Sequence, residues 1–212
     1  MKTNGMAKVT ATVVCIASIA AASELKVSSA ELDRARLYIQ QCENGVIGAT
    51  KVLTTAQWNF KPAPDRWSIA EIVEHMVMAQ ELILGPVREQ LAKAPPVAER
   101  DSKIVDSIVI NQLPDRTSKF KAPDALQPTG RWKPAESLDR LVRNDAELTR
   151  YLETTPDLRR HAIAAPPLKA ISNGAYESMD GYQWILTAAA HIERHTKQIL
   201  EVIADPRFPA KK

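Results

Sequence analysis

The chain has 212 residues, 45% of them hydrophobic and 25% charged, enough for one globular domain with a core of its own and too few for two comfortable ones. Its formal charge is only +3. Two units of that come from Lys2 and Lys8, so the remainder offers no electrostatic case for binding nucleic acid.

Residues 1–22 open on Lys2 and Lys8 and continue as an uncharged, mostly small and apolar run from Val9 to Ala22, with Ala20, Ala21 and Ala22 before Ser23. That is the pattern of a secretory signal peptide and predicts a periplasmic or secreted protein. The alternative, a short Ala-rich helix or disordered tail, leaves the chain cytoplasmic. The run is too short and too weakly apolar for a membrane span, so no transmembrane domain is expected. Val14 before Cys15 does not suit a lipid-attachment motif, and cleavage would leave Cys42 alone, hence no internal disulfide. Residues 23–212 are expected to form the single domain.

The first helix is announced by Ser28 followed by Glu31, a capping box, and by Leu32, Ala35, Ile39, Cys42 and Val46 at core spacing; it is expected to run toward Trp58. The second starts at a further capping box, Ser68 with Glu71, and places Ile72, His75, Met76, Ala79 and Ile83 on one face until Gly85-Pro86 kinks or ends it. From Pro95 to Lys133 five prolines break the pattern, and only Ser102 to Leu113 could make a short helix or strand. A third helix begins at Pro134 and stops at Thr155-Pro156. The fourth opens at Asp180 with Gln183 and ends at Asp205-Pro206. A connection of about 40 residues between the second and third helices is far longer than antiparallel neighbours need. It permits a parallel pair, so the expected architecture is all-α, a four-helix bundle with an overhead crossover between helices 2 and 3.

The chain contains only four histidines. His191 and His195 lie one helical turn apart on the stripe Trp184, Ala188, His191, His195, Gln198, Val202, which has the spacing of an inward-facing seam. His75 faces inward on the second helix. Three inward imidazoles are a metal-ligand set that leaves one tetrahedral position open to water or substrate. Imidazole suits a divalent transition metal, with zinc or nickel favoured and iron or copper as alternatives, and argues against a calcium or magnesium cage. The plain alternative is three hydrogen-bonded core histidines. In His191-Ile-Glu193-Arg194-His195 the acid falls at the third place, so Glu193 points away from the stripe and forms a solvated face with Arg194, and no zincin-type protease is supported.

Trp67-Ser68-Ile-Ala-Glu71-Ile-Val-Glu74-His75, followed far downstream by Tyr182-Gln-Trp184 and by His191-Ile-Glu-Arg194-His195-Thr-Lys-Gln198-Ile199, resembles the DinB/YfiT-like superfamily. The stretches Pro123 to Pro128 and His161 to Leu168 are similar to it as well. The resemblance implies a four-helix bundle whose metal is held by one histidine of the second helix and two of the last, here His75, His191 and His195. Members are described variously as metal-dependent hydrolases and as thiol-dependent transferases or isomerases. A metal-dependent hydrolase acting on a small molecule is therefore the first expectation. A metal-dependent thiol S-transferase or isomerase, and a non-catalytic metal-stabilised bundle that binds a ligand or partner, are the alternatives.

Around the histidines, Glu71 and Gln198 are the candidate catalytic groups. Glu71 could accept from an imidazole N–H or act as a general base, although its capping position explains it fully. Gln198 could orient substrate or pair within the core. Trp67 and Trp184 could wall a pocket or simply pack. His161 reads as a loop histidine near the mouth of the site or exposed to solvent, and Arg194 as a partner for a nearby helix end or acid. Cys42 lacks any motif that would activate a thiol. A homodimer is an open expectation.

Overall fold

A computed structural model describes residues 26–98 and 102–210; the signal-like segment lies outside these. Four helices make the bundle. Helix α1 spans Ser29–Thr50, and a separate short helix α2 spans Thr55–Trp58. Helix α3 spans Ile69–Leu82, passes through a π-helical turn at Ile83–Val87 and resumes as α4, Arg88–Lys93. The crossover carries α5, Ser102–Gln112, and a 3-10 turn at Asp124–Leu126. Helix α6 spans Pro134–Thr154, and after a small helix α7, Pro166–Ile171, the last helix α8 spans Gly181–Ile203. A two-stranded antiparallel ribbon, β1 (Ala162–Ala164) with β2 (Ser178–Asp180), flanks α7.

Local chemistry explains most of the ends. Capping boxes close the N-termini of α1, α3 and α8 through Ser28 with Glu31, Ser68 with Glu71 and Asp180 with Gln183, each satisfying amides that have no partner within the helix. Pro134 opens α6, where its missing N–H costs nothing. One expectation is corrected. The first helix does not continue to Trp58: it stops at Thr50, and Thr54 caps a new helix with Gln57 in its own capping box. Of the two outcomes expected at Gly85-Pro86, the helix is interrupted and not ended, because the wider π turn accommodates the proline that an α-helical turn would exclude.

Side-chain pairs fix the helix directions. Tyr182 Oη donates to Glu31 O at 2.9 Å and Tyr38 Oη to Glu193 Oε2 at 2.7 Å, so α1 and α8 run parallel. Arg140 meets Glu81 at 3.4 Å and Arg88 meets Glu147 at 3.2 Å, so α3 and α6 also run parallel. Arg36 with Glu153 at 2.8 Å sets α1 against α6 in the opposite sense. Two parallel pairs in one bundle require a connection that travels its length, which is what the crossover supplies.

Gly181 is, among the described glycines, the one where a side chain would meet its neighbours most closely. Its N–H donates to Leu158 O at 2.8 Å, and a Cβ there would lie 2.7 Å from Leu158 Cδ2, so only glycine lets α8 start against this segment. Next to it, Arg159 is buried among three carboxylates: Asp106 at 2.6 Å, Glu31 at 2.7 Å and Asp180 at 3.1 Å. The guanidinium also lies 4.3 Å over the Tyr182 ring. One side chain thus ties α1, α5 and α8 together.

A second buried polar pair joins α3 to α6. Gln80 Nε2 donates to Asp145 Oδ1 at 2.7 Å, while Gln80 Oε1 and Asp145 Oδ2 have no hydrogen-bond partner among the described residues. Burial, aided by nearby Glu43, pushes the Asp145 carboxyl up to about 8. The unfolded chain ionises this group near pH 3.9, so the folded state holds the extra proton between about pH 4 and 8 and loses stability as pH rises through that window. Asp145→Asn supplies an amide donor in place of the proton and is expected to remove this loss. Urea denaturation at pH 5 and pH 9 should find the variant gaining on the wild type more at the higher pH, and a pH-independent difference would refute the account.

Candidate metal centre

Two helices build the site. His75 lies on the inner face of α3 and His191 and His195 on that of α8, and because these helices are antiparallel the three imidazoles meet at one level of the bundle. His191 Nε2 lies 3.2 Å from His75 Nε2 and 3.1 Å from His195 Nε2, and the ligand atoms all fall within 4.8 Å of one another. His75 and His195 are 3% and 7% exposed, and His191 is half-buried.

The protons on the rings follow from their outer partners. His75 Nδ1 faces Leu126 O at 2.8 Å, and a carbonyl only accepts, so His75 carries its proton on Nδ1. His195 Nδ1 faces Gln198 Oε1 at 2.8 Å. The amide cannot be reversed, because Arg116 Nη1 also donates to Gln198 Oε1 at 3.3 Å and arginine has no acceptor to offer. His195 is therefore protonated on Nδ1 too. Burial lowers the pKa of all three rings: His195 and His191 lie well below the ordinary value, helped by neighbouring imidazoles, and in His75 the Leu126 carbonyl opposes part of the shift. Two neutral rings thus present bare Nε2 lone pairs to a third Nε2 that can donate to only one of them.

This donor set fits a cation that accepts imidazole nitrogen. The outer partners do what such partners do around a metal, fixing tautomer and ring direction. Trp67 covers the cluster, its ring centroid 4.8 Å from that of His75 and 6.4 Å from that of His195. No carboxylate among the described residues hydrogen-bonds to any of the three rings.

The other expected residues sort cleanly. Glu71 does not reach the histidines: its Oε2 accepts from Ser68 N at 2.7 Å and its Oε1 from Lys61 Nζ at 2.9 Å, so its capping role accounts for it. Gln198 belongs to the site by holding His195. Trp184 packs in the core, with its indole N–H unpartnered. His161 is neither at the cluster nor exposed, since it is half-buried with Nδ1 2.6 Å from Ala94 O. Glu193 does not sit on an open solvated face, because Tyr38 of α1 donates to it. Arg194 is buried and not on a solvated face, and it does meet a helix end, donating to the carbonyls of Leu113, Asp115 and Ser118 just past α5. Cys42 is buried, and burial pushes its thiol up to about 12, which leaves it inert at neutral pH.

Two contributors were not anticipated: the Leu126 carbonyl and Arg116. Both come from the crossover, and the Pro123–Pro128 stretch that resembles the family was the signal that could have led to the first of them.

Comparisons with known proteins agree with the four-helix-bundle fold. In Bacillus subtilis (strain 168), the uncharacterized protein YuaE is 23% identical over 156 residues, covering 72% of this chain and 86% of YuaE. Among solved structures, YfiT from Bacillus subtilis, described as a probable metal-dependent hydrolase with an unusual four-helix bundle topology, superposes with a TM-score of 0.54 at 17% identity, covering 84% of this chain and 88% of YfiT. The DinB superfamily model matches residues 38–199, a span that contains all three histidines, and the chain belongs to the DinB superfamily.

Proposed function

We propose that this protein is a metal-dependent hydrolase in which His75, His191 and His195 hold one divalent transition metal, zinc or nickel by preference, and that its substrate is a small molecule. The observation that carries the reading is the convergence of three Nε2 atoms, two of them stripped of protons by Leu126 and Gln198. Without a cation between them that arrangement sets lone pair against lone pair in a buried site, which is costly. A metal bound there acts as a Lewis acid, acidifying water or polarising a carbonyl or phosphoryl oxygen. Three protein ligands are the number found in catalytic sites, where a position is kept free for water or substrate.

The chain's own residues orient and enclose. Leu126 and Gln198 lock two rings, and Trp67 covers the cluster on one side. The description of YfiT supports hydrolysis as the reaction class.

Elemental analysis of untagged protein tests the metal. Close to one transition metal per chain is expected, absent from the His191→Ala, His195→Ala double variant. The loaded protein should hydrolyse members of an ester, amide and phosphoester panel and lose that activity on chelation. Absence of metal even after reconstitution would refute the site, and metal without turnover would leave a non-catalytic metal-stabilised bundle.

A further inference from the structure

Glu74 precedes His75 on α3 and points to a different neighbour. It is 2% exposed, and its carboxylate receives two successive backbone amides of the crossover: Thr129 N at 2.8 Å on Oε1 and Gly130 N at 2.8 Å on Oε2. Thr129 Oγ1 adds a bond at 3.2 Å and Arg131 Nε an ion pair at 3.4 Å. Gly130 has φ +73, and this left-handed geometry turns consecutive N–H groups toward one anion. Four residues upstream the same turn supplies the Leu126 carbonyl that meets His75 Nδ1.

The turn from Leu126 to Gly130 is therefore fastened to α3 twice, through adjacent residues. Thr129, Gly130 and Arg131 are exposed, and the side-chain bonds that Thr129 and Arg131 make to α3 go to Glu74 itself. Among the described residues, the hydrogen bonds from α3 to this turn come from His75 and Glu74 alone. We propose that Glu74 is a positioning residue: by gripping the Thr129 and Gly130 amides it sets the crossover turn whose Leu126 carbonyl fixes the tautomer and direction of His75. This rests on the metal-site reading above. The coupling is reciprocal, so a metal that tightens His75 also tightens the turn.

Glu74→Gln is the informative change. It preserves shape, but an amide offers one oxygen to two N–H groups and turns its own N–H toward the other. Glu71→Gln, in the capping box one turn away, serves as the control for a general helix effect. Gly130→Ala strains the turn while leaving the Glu74 charge in place, and also serves if Glu74→Gln does not fold.

Two readouts are needed: the His75 ring tautomer by long-range proton–nitrogen NMR of the metal-free protein, and the affinity for zinc alone by competition with a chromophoric chelator. The wild type and Glu71→Gln should hold the proton on Nδ1. Glu74→Gln and Gly130→Ala should show mixed tautomers, and Glu74→Gln should weaken zinc about 10- to 100-fold, the range for losing an outer partner of a metal ligand. An unchanged His75 tautomer in Glu74→Gln overturns the proposal. So does a zinc loss in Glu74→Gln with tautomer and affinity both unchanged in Gly130→Ala, which would make the effect one of charge alone. If the wild type takes up no zinc while the tautomer still follows Glu74, the metal reading fails and the positioning role stands.

Discussion

Arg159→Met is expected to destabilise the protein by about 3–5 kcal/mol, the range for removing one partner of a buried ion pair. The change deletes the cation and leaves Asp106, Asp180 and Glu31 facing one another, with Asp180 side-chain exposure only 1%. Gln183 still donates to Asp106 at 3.0 Å and to Asp180 at 2.8 Å, and Ser28 N to Glu31 at 2.7 Å, but these are neutral donors that bring no positive charge. A domain whose total stability is on the order of 5–15 kcal/mol loses a large fraction of it. The midpoint of urea denaturation measures the loss directly. Arg88→Met, which breaks a partly exposed pair with Glu147, is the comparison and should cost no more than about 1 kcal/mol. Similar midpoints for the two variants would mean that the Arg159 cluster contributes no more than a surface pair. The expected loss also reaches the metal site, because Arg159 anchors the first turn of α8, whose third and fourth turns carry His191 and His195.

The features that could be read from the sequence are those encoded within a turn or two of helix. Ser28 with Glu31, Ser68 with Glu71 and Asp180 with Gln183 are three-residue signals, and all form the capping boxes they suggest. The facing of His75, His191 and His195 follows from helical periodicity alone, and the length of the crossover was enough to indicate a parallel helix pair. Contacts that depend on segments far apart in the chain carry no such signature. Leu126 reaches His75 across 51 residues and Arg116 reaches Gln198 across 82. Arg159 stands in Leu158-Arg159-Arg160, which reads as an exposed loop until α1, α5 and α8 close over it. Glu74 shows the same limit from the other side: a charged residue beside an inward histidine looks like solvent-facing helix. Its burial depends on a loop whose backbone, not its side chains, supplies the partner. The break at Thr50 and the π turn at Pro86 are decided by competition between local caps and packing, which periodicity does not resolve.

Replacing His195 with leucine is expected to act on stability with opposite signs in the presence and absence of metal. In chelated protein the wild-type trio has two bare Nε2 atoms and a single N–H to share between them. His195→Leu leaves His75 Nε2 as acceptor and His191 Nε2 as donor, a satisfied pair at 3.2 Å. Gln198 Oε1 keeps its bond from Arg116, so no new orphan appears. Exchanging a buried group of unmet hydrogen-bonding capacity for an apolar one of similar size should gain about 1 kcal/mol. With metal present the order reverses. A ligand that binds only the folded state adds about 2.7 kcal/mol at a hundred times its dissociation constant, and the variant, lacking a ligand, forfeits most of that. Thermal unfolding of both proteins, chelated and then titrated with zinc, should give curves that cross: the variant melts higher at first and the wild type overtakes it as zinc is added. Parallel shifts, or a variant that is the less stable under both conditions, would mean that the three imidazoles are an ordinary hydrogen-bonded core cluster. A crossing would identify the strain in the metal-free trio as the cost of holding three ligand atoms ready in one place.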